Sequence, residues 1–182
     1  MDTDSSISAI NPAKDVDGFH PANLAKLTKG CSADVVMPPV FAVVLEMLAS
    51  INCSLKDKKI CLVVNSDIFG KSLANVLQCR GAQVDITTIN DSDLISQTSL
   101  ADILITAVGQ PKFIKKEMIK QNAIIIDIGI NKQGNKVYGD VDFNDVKDKA
   151  SFITPVPGGV GPLTIAMAFK NTLEVYRRRY DL

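Results

Sequence analysis

The residues most unusual for their type and spacing form a run of prolines and glycines near the carboxyl end of the chain. Residues 154–162 read TPVPGGVGP, with three glycines and three prolines in nine positions. A simple strand-to-helix turn needs about two such residues, and Pro162 suits the first position of a helix. The surplus indicates a rigid backbone shaped around a flat ligand, because rigid loops at strand ends commonly carry binding sites.

Three further loops follow apolar segments that read as strands, at residues 64–70, 107–111 and 128–131. A dinucleotide-binding fingerprint has three glycines in this loop, whereas the first of these loops contains only Gly70. Gly70 could therefore serve either to bind a phosphate or to let the helix pack closely on the strand. The start of the following helix still offers N–H groups to an anion. Thr87 and Thr88 stand where an acidic residue would select NAD or an arginine NADP, so these residues favour neither cofactor.

Residues 15–21 read DVDGFHP and lie in a polar segment without periodicity. Two carboxylates, Asp15 and Asp17, are too few for a calcium cage, which needs about six to eight oxygens. The pattern by itself predicts a turn.

Apolar strands alternate with amphipathic helices from residue 40 onward. This pattern predicts an α/β fold: a doubly wound, mostly parallel, Rossmann-like sheet with an N-terminal arm and a long C-terminal helix. We expect the arm at residues 1–34 and the Rossmann-like domain at residues 35–182. The predicted helices are 40–48, 70–80, 114–120 and 162–179; the predicted strands are 59–64, 82–86, 102–107, 123–128 and 151–154, with a hairpin at 131–140 that turns near Gly134 and Asn135.

Composition excludes several classes of function. The chain has 20 basic and 20 acidic residues, so it lacks the positive surplus of a nucleic-acid binder. Four scattered cysteines and one histidine argue against a metal site. No apolar run approaches the roughly 20 residues that span a bilayer. We expect a cytoplasmic protein, with an organellar matrix as the alternative.

Several segments closely resemble signatures of the methylenetetrahydrofolate dehydrogenase/cyclohydrolase family. The two longest are residues 15–23 (DVDGFHPAN) and 154–164 (TPVPGGVGPLT). Residues 101–111, 123–131 and 139–143 match in the same order and at fitting spacings. The resemblance runs from about Ile10 to Tyr176.

The resemblance implies a two-domain enzyme, usually a homodimer, of which this chain is the NAD(P)-binding half. Such enzymes oxidise 5,10-methylenetetrahydrofolate with a nicotinamide cofactor, generally NADP, and then hydrolyse the methenyl product. The implied folate-binding residues are Asp17, Gly158, Gly159, Val160, Gly161 and Pro162. The implied cofactor-binding residues are Asn65, Ser66, Gly70, Val108, Gly109, Ile130, Asn131 and Thr164.

The chain also departs from the family pattern. The catalytic lysine belongs to a domain that precedes the DVDG motif, and we expect that domain and every catalytic residue to be absent from this chain. Val64 and Asn65 stand where the family has glycine and an arginine that meets the 2′-phosphate of NADP, which weakens the NADP preference and leaves NAD possible. Thr87–Ile89 and Pro38–Phe41 replace two further signatures, Cys-His-Ser and Pro-Cys-Thr-Pro.

Three hypotheses follow. The first is the cofactor-binding part of a working dehydrogenase/cyclohydrolase, inactive alone. The second is a non-catalytic relative that serves as a dimerisation or interaction module, supported by Val64, whose Cβ would stand where the backbone should approach phosphate. The third is another two-domain dehydrogenase, such as an amino-acid dehydrogenase, against which the DVDGFHP segment argues. We favour the first.

Overall fold

The computed structural model describes residues 3–29 and 35–180. The chain divides into two compact units, one formed by residues 1–52 and 162–182 and the other by residues 53–161. The expected boundary after residue 34 borders residues outside the described part and stays a prediction. Within the described residues, no helix combines the length and the apolar composition needed to cross a bilayer.

The second unit is built on a five-stranded sheet in which every neighbouring pair is parallel. Its strand order is β2-β1-β3-β4-β7. The strands are β1 Lys59–Val64, β2 Gln83–Thr87, β3 Ile103–Ala107, β4 Ile124–Asp127 and β7 Phe152–Ile153. A separate antiparallel hairpin pairs β5 (Asn131–Gln133) with β6 (Lys136–Tyr138). The predicted fold class and hairpin are confirmed.

The central strands are buried on both faces, which is why their sequences are apolar almost throughout. All residues of β1 after Lys59 are buried, as are the first four of β3. Side chains of alternate strand residues, Cys61, Val63, Leu104 and Ile125, join one core cluster of the second unit.

The helices of the second unit are α4 Asp67–Gln78, α5 Leu94–Thr98 and α6 Phe143–Val146. The predicted helix at 70–80 is confirmed but begins three residues earlier, because the Ser66 hydroxyl accepts a hydrogen bond from the Phe69 N–H over 3.3 Å and caps the helix. The predicted helix at 114–120 is wrong. Ile114 instead forms a parallel bridge with Val141, and only Lys116–Met118 make a 3₁₀ turn.

The first unit contains α1 Thr3–Ser8, α2 Pro21–Lys29 and α3 Pro39–Ser50, together with most of α7 Val160–Tyr180. The arm therefore holds more regular structure than its sequence predicts. His20 directly precedes α2, and its carbonyl oxygen accepts hydrogen bonds from the N–H groups of Asn23 and Leu24. The Asn171 amide of α7 donates to the carbonyls of Val16 and Met37 over 2.9 and 2.8 Å and so fastens the arm within this unit.

Gly70 lets α4 pack closely on the end of β1. A Cβ at Gly70 would lie 2.8 Å from Val64 Cγ2 and 3.2 Å from Ile86 Cγ2. Val64 is only 2% exposed. Its side chain therefore fills the space beneath the first turn of α4 instead of projecting from the loop.

We expect Gly70→Ala to lower the free energy of unfolding by about 1–3 kcal/mol, because the added methyl group overpacks this contact. Val64→Ala alone should also destabilise, since it leaves a cavity. The double variant should be at least about 1 kcal/mol more stable than the sum of the two effects implies, because removal of the Val64 methyl groups makes room for the new one. Urea unfolding of the four proteins measures this coupling, and strictly additive effects would contradict the packing described.

Candidate functional site

The loops that follow β1, β3 and β4 lie at one edge of the sheet in the second unit, because these strands are adjacent and parallel. This carboxyl edge is where open α/β sheets bind ligands. Its loops are organised by two buried carboxylates, Asp140 and Asp127.

Asp140 has no exposed surface and accepts hydrogen bonds from two neighbouring loops. The N–H groups of Val108 and Gln110 donate to it over 2.7 and 3.0 Å. The Asn131 side-chain amide and the Thr106 hydroxyl donate over 2.9 and 3.3 Å. One carboxylate thus fixes the loop after β3 and the segment after β4 against each other.

Asp127 ends β4 and is 2% exposed. Its carboxylate accepts from the N–H groups of Gly129, Asp140 and Val141 over 2.9, 3.0 and 2.9 Å. Burial and, to a smaller extent, the nearby Asp140 charge raise the pKa of Asp127 from 3.8 to about 6, although the three N–H donors oppose the rise. Among the described residues no basic side chain forms an ion pair with Asp127 or Asp140, so dipoles alone compensate both groups.

Two glycines leave room for these carboxylates. A Cβ at Gly129 would overlap the carboxyl group of Asp140, and a Cβ at Gly139 would overlap that of Asp127. Both positions are buried. The backbone therefore approaches each carboxylate in a way that only glycine allows.

The loop after β1 is joined to the loop after β3 by Asn65, whose side-chain amide donates to the carbonyl oxygen of Val108. The Asn65 side chain is therefore held across the strand ends. The buried Val64 side chain lies under α4, so it does not fill the open edge of the loop.

The Pro/Gly run connects β7 to α7. Gly158 has a φ of +105°, which favours glycine, and a Cβ at Gly159 would overlap the Pro155 carbonyl oxygen. The peptide bond between Val156 and Pro157 is cis. Thr154 at the start of the run accepts a hydrogen bond from the Asp127 N–H over 2.8 Å, so the run is joined to the end of β4.

The DVDG segment lies in the first unit and forms the predicted turn. Asp15 is buried and accepts hydrogen bonds from the N–H groups of Gly18 and His20 over 3.0 and 2.8 Å and from the Asn23 amide over 2.9 Å. Gly18 has a φ of +71° and packs against the Val36 carbonyl. Asp15 therefore shapes the turn, whereas the Asp17 carboxylate is exposed.

Three of the predicted cofactor residues, Asn65, Val108 and Asn131, belong to one hydrogen-bond network. Asn65 donates to the Val108 carbonyl, and both the Val108 N–H and the Asn131 amide donate to Asp140. Gly109 and Ile130 lie exposed beside it, and Ile130 borders Gly161. Ser66 and Gly70 serve the start of α4. Pro162 and Thr164 belong to the first unit. The roles of all these residues stay predictions.

Sequence reasoning missed Asp127 and Asp140, which organise the edge. An aspartate that directly ends an apolar strand, in AIIID, was the signal for Asp127. Nothing comparable marks Asp140, because its partners lie 9 to 34 residues away.

The parallel sheet and its loops define an α/β domain of the dinucleotide-binding type. Residues 38–180 match the model of the "Tetrahydrofolate dehydrogenase/cyclohydrolase, NAD(P)-binding domain". The chain belongs to this family, as its sequence signatures predict.

Similar proteins include the bifunctional protein FolD of Nitratiruptor sp., which is 49% identical over 179 residues that make up 98% of this chain and 63% of that protein. The structure of FolD from Campylobacter jejuni has a TM-score of 0.92 at 37% identity and covers 98% of this chain and 63% of that one. FolD from Trypanosoma brucei, complexed with NADP cofactor and inhibitor, has a TM-score of 0.92 at 31% identity and covers 100% of this chain and 64% of that one. The chain thus spans less than two thirds of the length of these relatives.

We expect the ionisation of Asp127 to oppose folding. Its folded pKa of about 6 lies above the unfolded value, so its contribution to stability is complete below about pH 4 and is lost as the pH rises through about 6. Relative to Asp127→Asn, which does not titrate, the wild-type free energy of unfolding should fall by about 2 kcal/mol between pH 4 and pH 7.

Urea unfolding of both proteins across this pH range measures the change. Carbon-13 NMR of the Asp127 carboxyl group in the wild type provides an independent value, which matters if the variant folds poorly. A difference in the free energy of unfolding between the two proteins that does not change with pH would contradict this account. So would a pKa of Asp127 near 4 in the folded protein.

Proposed function

We propose that this chain is the cofactor-binding part of a bifunctional 5,10-methylenetetrahydrofolate dehydrogenase and 5,10-methenyltetrahydrofolate cyclohydrolase of one-carbon folate metabolism. The observation that carries the proposal is the carboxyl edge of the sheet, where two buried carboxylates organise the loops of a domain that matches an NAD(P)-binding family. The relatives that share this domain are bifunctional, and one of them is described with NADP bound.

The residues at this edge fit a flat dinucleotide. Gly109 has a φ of +69°, and no atom lies within 4 Å of the place where its Cβ would be, so its backbone faces open space. Ile130 is 66% exposed and offers an apolar surface to a ring. The twelve-residue α4 begins at the same edge, and a helix N-terminus can bind an anion through its free N–H groups.

Each proposed cofactor residue contributes a contact or a fixed position. Asn65 holds the loop after β1 against Val108. Ser66 caps α4, and Gly70 allows α4 to pack closely on β1. Asn131 is oriented by Asp140. We assign Val108, Gly109 and Ile130 to the walls of the cofactor site, while Thr164 is proposed as a cofactor-binding residue from the family signature alone. The bound cofactor supplies a nicotinamide ring that accepts a hydride from the folate methylene group.

The folate contacts are proposed on the basis of the family signatures. The exposed Asp17 carboxylate can accept hydrogen bonds from a pterin ring, and the turn that Asp15 forms holds it in place. The backbone of Gly158–Pro162 would border the folate. The general acid/base of the cyclohydrolase step, a lysine in the family, would come from a domain outside this chain.

We further propose that the protein acts as a homodimer in the cytoplasm, as is usual in the family. Its balanced charge gives no basis for binding nucleic acid.

A second candidate function is a non-catalytic interaction or dimerisation module. The observation that favours it is Asn65, because an amide held by the Val108 carbonyl replaces the cation that would meet a 2′-phosphate. The buried position of Val64 removes the other argument for this candidate, since its side chain does not obstruct the loop.

Calorimetric titration tests the proposal. We expect NAD and NADP to bind with dissociation constants within about tenfold of each other, because a charge-assisted contact worth about 1.5–3 kcal/mol is missing. Asn65→Arg should strengthen NADP binding at least about tenfold and leave NAD binding nearly unchanged. Gln78→Arg, which adds the same charge at the far end of α4, is the matched control and should change neither.

A wild-type preference for NADP of a hundredfold would show that another group has taken the role of the arginine. If neither cofactor binds at millimolar concentration, binding that is recovered by Asn65→Arg together with Val64→Gly would indicate a decayed cofactor loop and favour the non-catalytic candidate. Continued absence of binding would indicate that the cofactor site needs the segment that the relatives have outside the match.

A further inference from the structure

The second strand of the sheet ends in a tight turn that Asp91 closes. β2 ends at Thr87, and the Asp91 carboxylate accepts hydrogen bonds from the Thr87 hydroxyl and the Thr88 N–H over 2.9 and 2.7 Å. The Asp91 N–H in turn donates to the Thr88 carbonyl oxygen over 3.3 Å. The Thr88 N–H and then the Thr87 hydroxyl also hold the pKa of Asp91 below its ordinary value of 3.8, so the carboxylate is ionised at neutral pH.

This turn lies beside the loop that follows β1. The parallel register places Thr87 opposite Val63, so the two loops leave the sheet side by side at its carboxyl edge. β1 lies between β2 and β3, and the Asn65 amide donates to the Val108 carbonyl of the loop after β3. The Asn65 amide is therefore engaged on the β3 side of its loop, and on the β2 side the exposed Asp91 carboxylate is fixed in place.

The charge of these two loops is negative. Residues 65–66 and 88–93 contain neither lysine nor arginine, and their charged residues are Asp91 and Asp93. In the first turns of α4, Asp67 and Lys71 form an ion pair over 2.7 Å, so this lysine is already matched by a carboxylate. Neither loop therefore supplies a cation that could hold a phosphate group.

The end of the second strand has a defined role in dinucleotide-binding folds. The adenosine ribose of the cofactor lies there, where an acidic side chain accepts the 2′-hydroxyl of NAD or a cation meets the 2′-phosphate of NADP. The acidic residue follows the loop after the first strand by about 20 residues. Asp91 lies 21 positions after Gly70 and at the end of the correct strand.

We propose that Asp91 determines the cofactor preference of this chain and selects NAD by disfavouring the 2′-phosphate of NADP. The inference rests on the proposed function, which places a dinucleotide at this edge of the sheet. A 2′-phosphate brings about 1.5 to 2 negative charges toward a carboxylate that cannot turn away without losing its hydrogen bonds. The ribose hydroxyl of NAD can instead donate to the same carboxylate.

Calorimetric titration of Asp91→Asn with NAD and with NADP tests the proposal. The amide oxygen still accepts the Thr88 N–H, so this variant keeps the turn and loses the charge. We expect the wild type to bind NAD about threefold to tenfold more tightly than NADP, and the ratio of the two dissociation constants to fall at least about threefold in Asp91→Asn. Asp57→Asn removes an exposed carboxylate from the turn before β1, at the opposite edge of the sheet, and is the matched control. It should leave the ratio unchanged.

Ionic strength provides a readout that a purely structural role of Asp91 would not move. Salt screens the interaction between exposed charges, so the wild-type ratio should approach one as the salt concentration rises from about 0.1 to about 1 M. The ratio for Asp91→Asn should change much less over the same range.

Adenosine nucleotides cover the case in which the whole cofactors bind too weakly for calorimetry. Nitrogen-15 NMR follows the amides of Thr88 and Asp91 while adenosine 5′-monophosphate or adenosine 2′,5′-bisphosphate is added. The monophosphate should shift these amides at lower concentration than the bisphosphate, and Asp91→Asn should reduce that difference.

A ratio that Asp91→Asn leaves unchanged, or that Asp57→Asn lowers equally, would overturn the inference while the proposed function stands. So would a wild-type preference for NADP, or nucleotide binding that shifts amides elsewhere but not those of Thr88 and Asp91. If none of the four nucleotides shifts any amide, the chain alone has no cofactor site at this edge, and the inference fails together with that part of the proposed function.

Discussion

The architecture of the second unit depends on two buried carboxylates that are compensated by hydrogen-bond donors rather than by cations. Asp127 ends β4 and binds three backbone N–H groups, while Asp140 binds two more together with two side chains. A buried charge is costly unless its hydrogen bonds are satisfied. A shift of one loop would break hydrogen bonds to a buried carboxylate. The loops therefore have little freedom to move independently. The same hydrogen bonds hold the edge of the sheet at which we propose that a dinucleotide binds.

Most of the second unit could be predicted because its strands obey a simple physical rule. KICLVV and DILITA are apolar throughout, and only strands covered on both faces need that pattern. The errors have equally local causes. The segment at 114–120 has helical spacing, but the backbone of Ile114 bonds Asp140 and Asp142 and is drawn into an extended course. The regular structure of the arm was missed because α2 is short, and short helices depend on packing that periodicity does not reveal.

The candidate site was predictable only in part. Unusual glycines and prolines at 154–162 identified a rigid loop, and the family signatures supplied Asp17 and Asn131. Sequence could not reveal that Asn65 reaches the Val108 carbonyl or that Asp140 unites two loops, because both contacts join residues far apart in the chain. The direction of the Val64 side chain was likewise undetermined. Because the Val64 side chain is buried beneath α4, it packs the sheet against this helix and does not block the loop.

The central claim is that these joined loops form the surface that binds a nicotinamide dinucleotide. Nitrogen-15 NMR spectra of the full chain, recorded while NAD is added, test it most directly. The account predicts that the largest shifts occur at the backbone amides of Ser66, Val108, Gly109 and Ile130, with those of α5 unaffected. Shifts that are confined to other parts of the chain, or the absence of any shift at millimolar NAD, would contradict it.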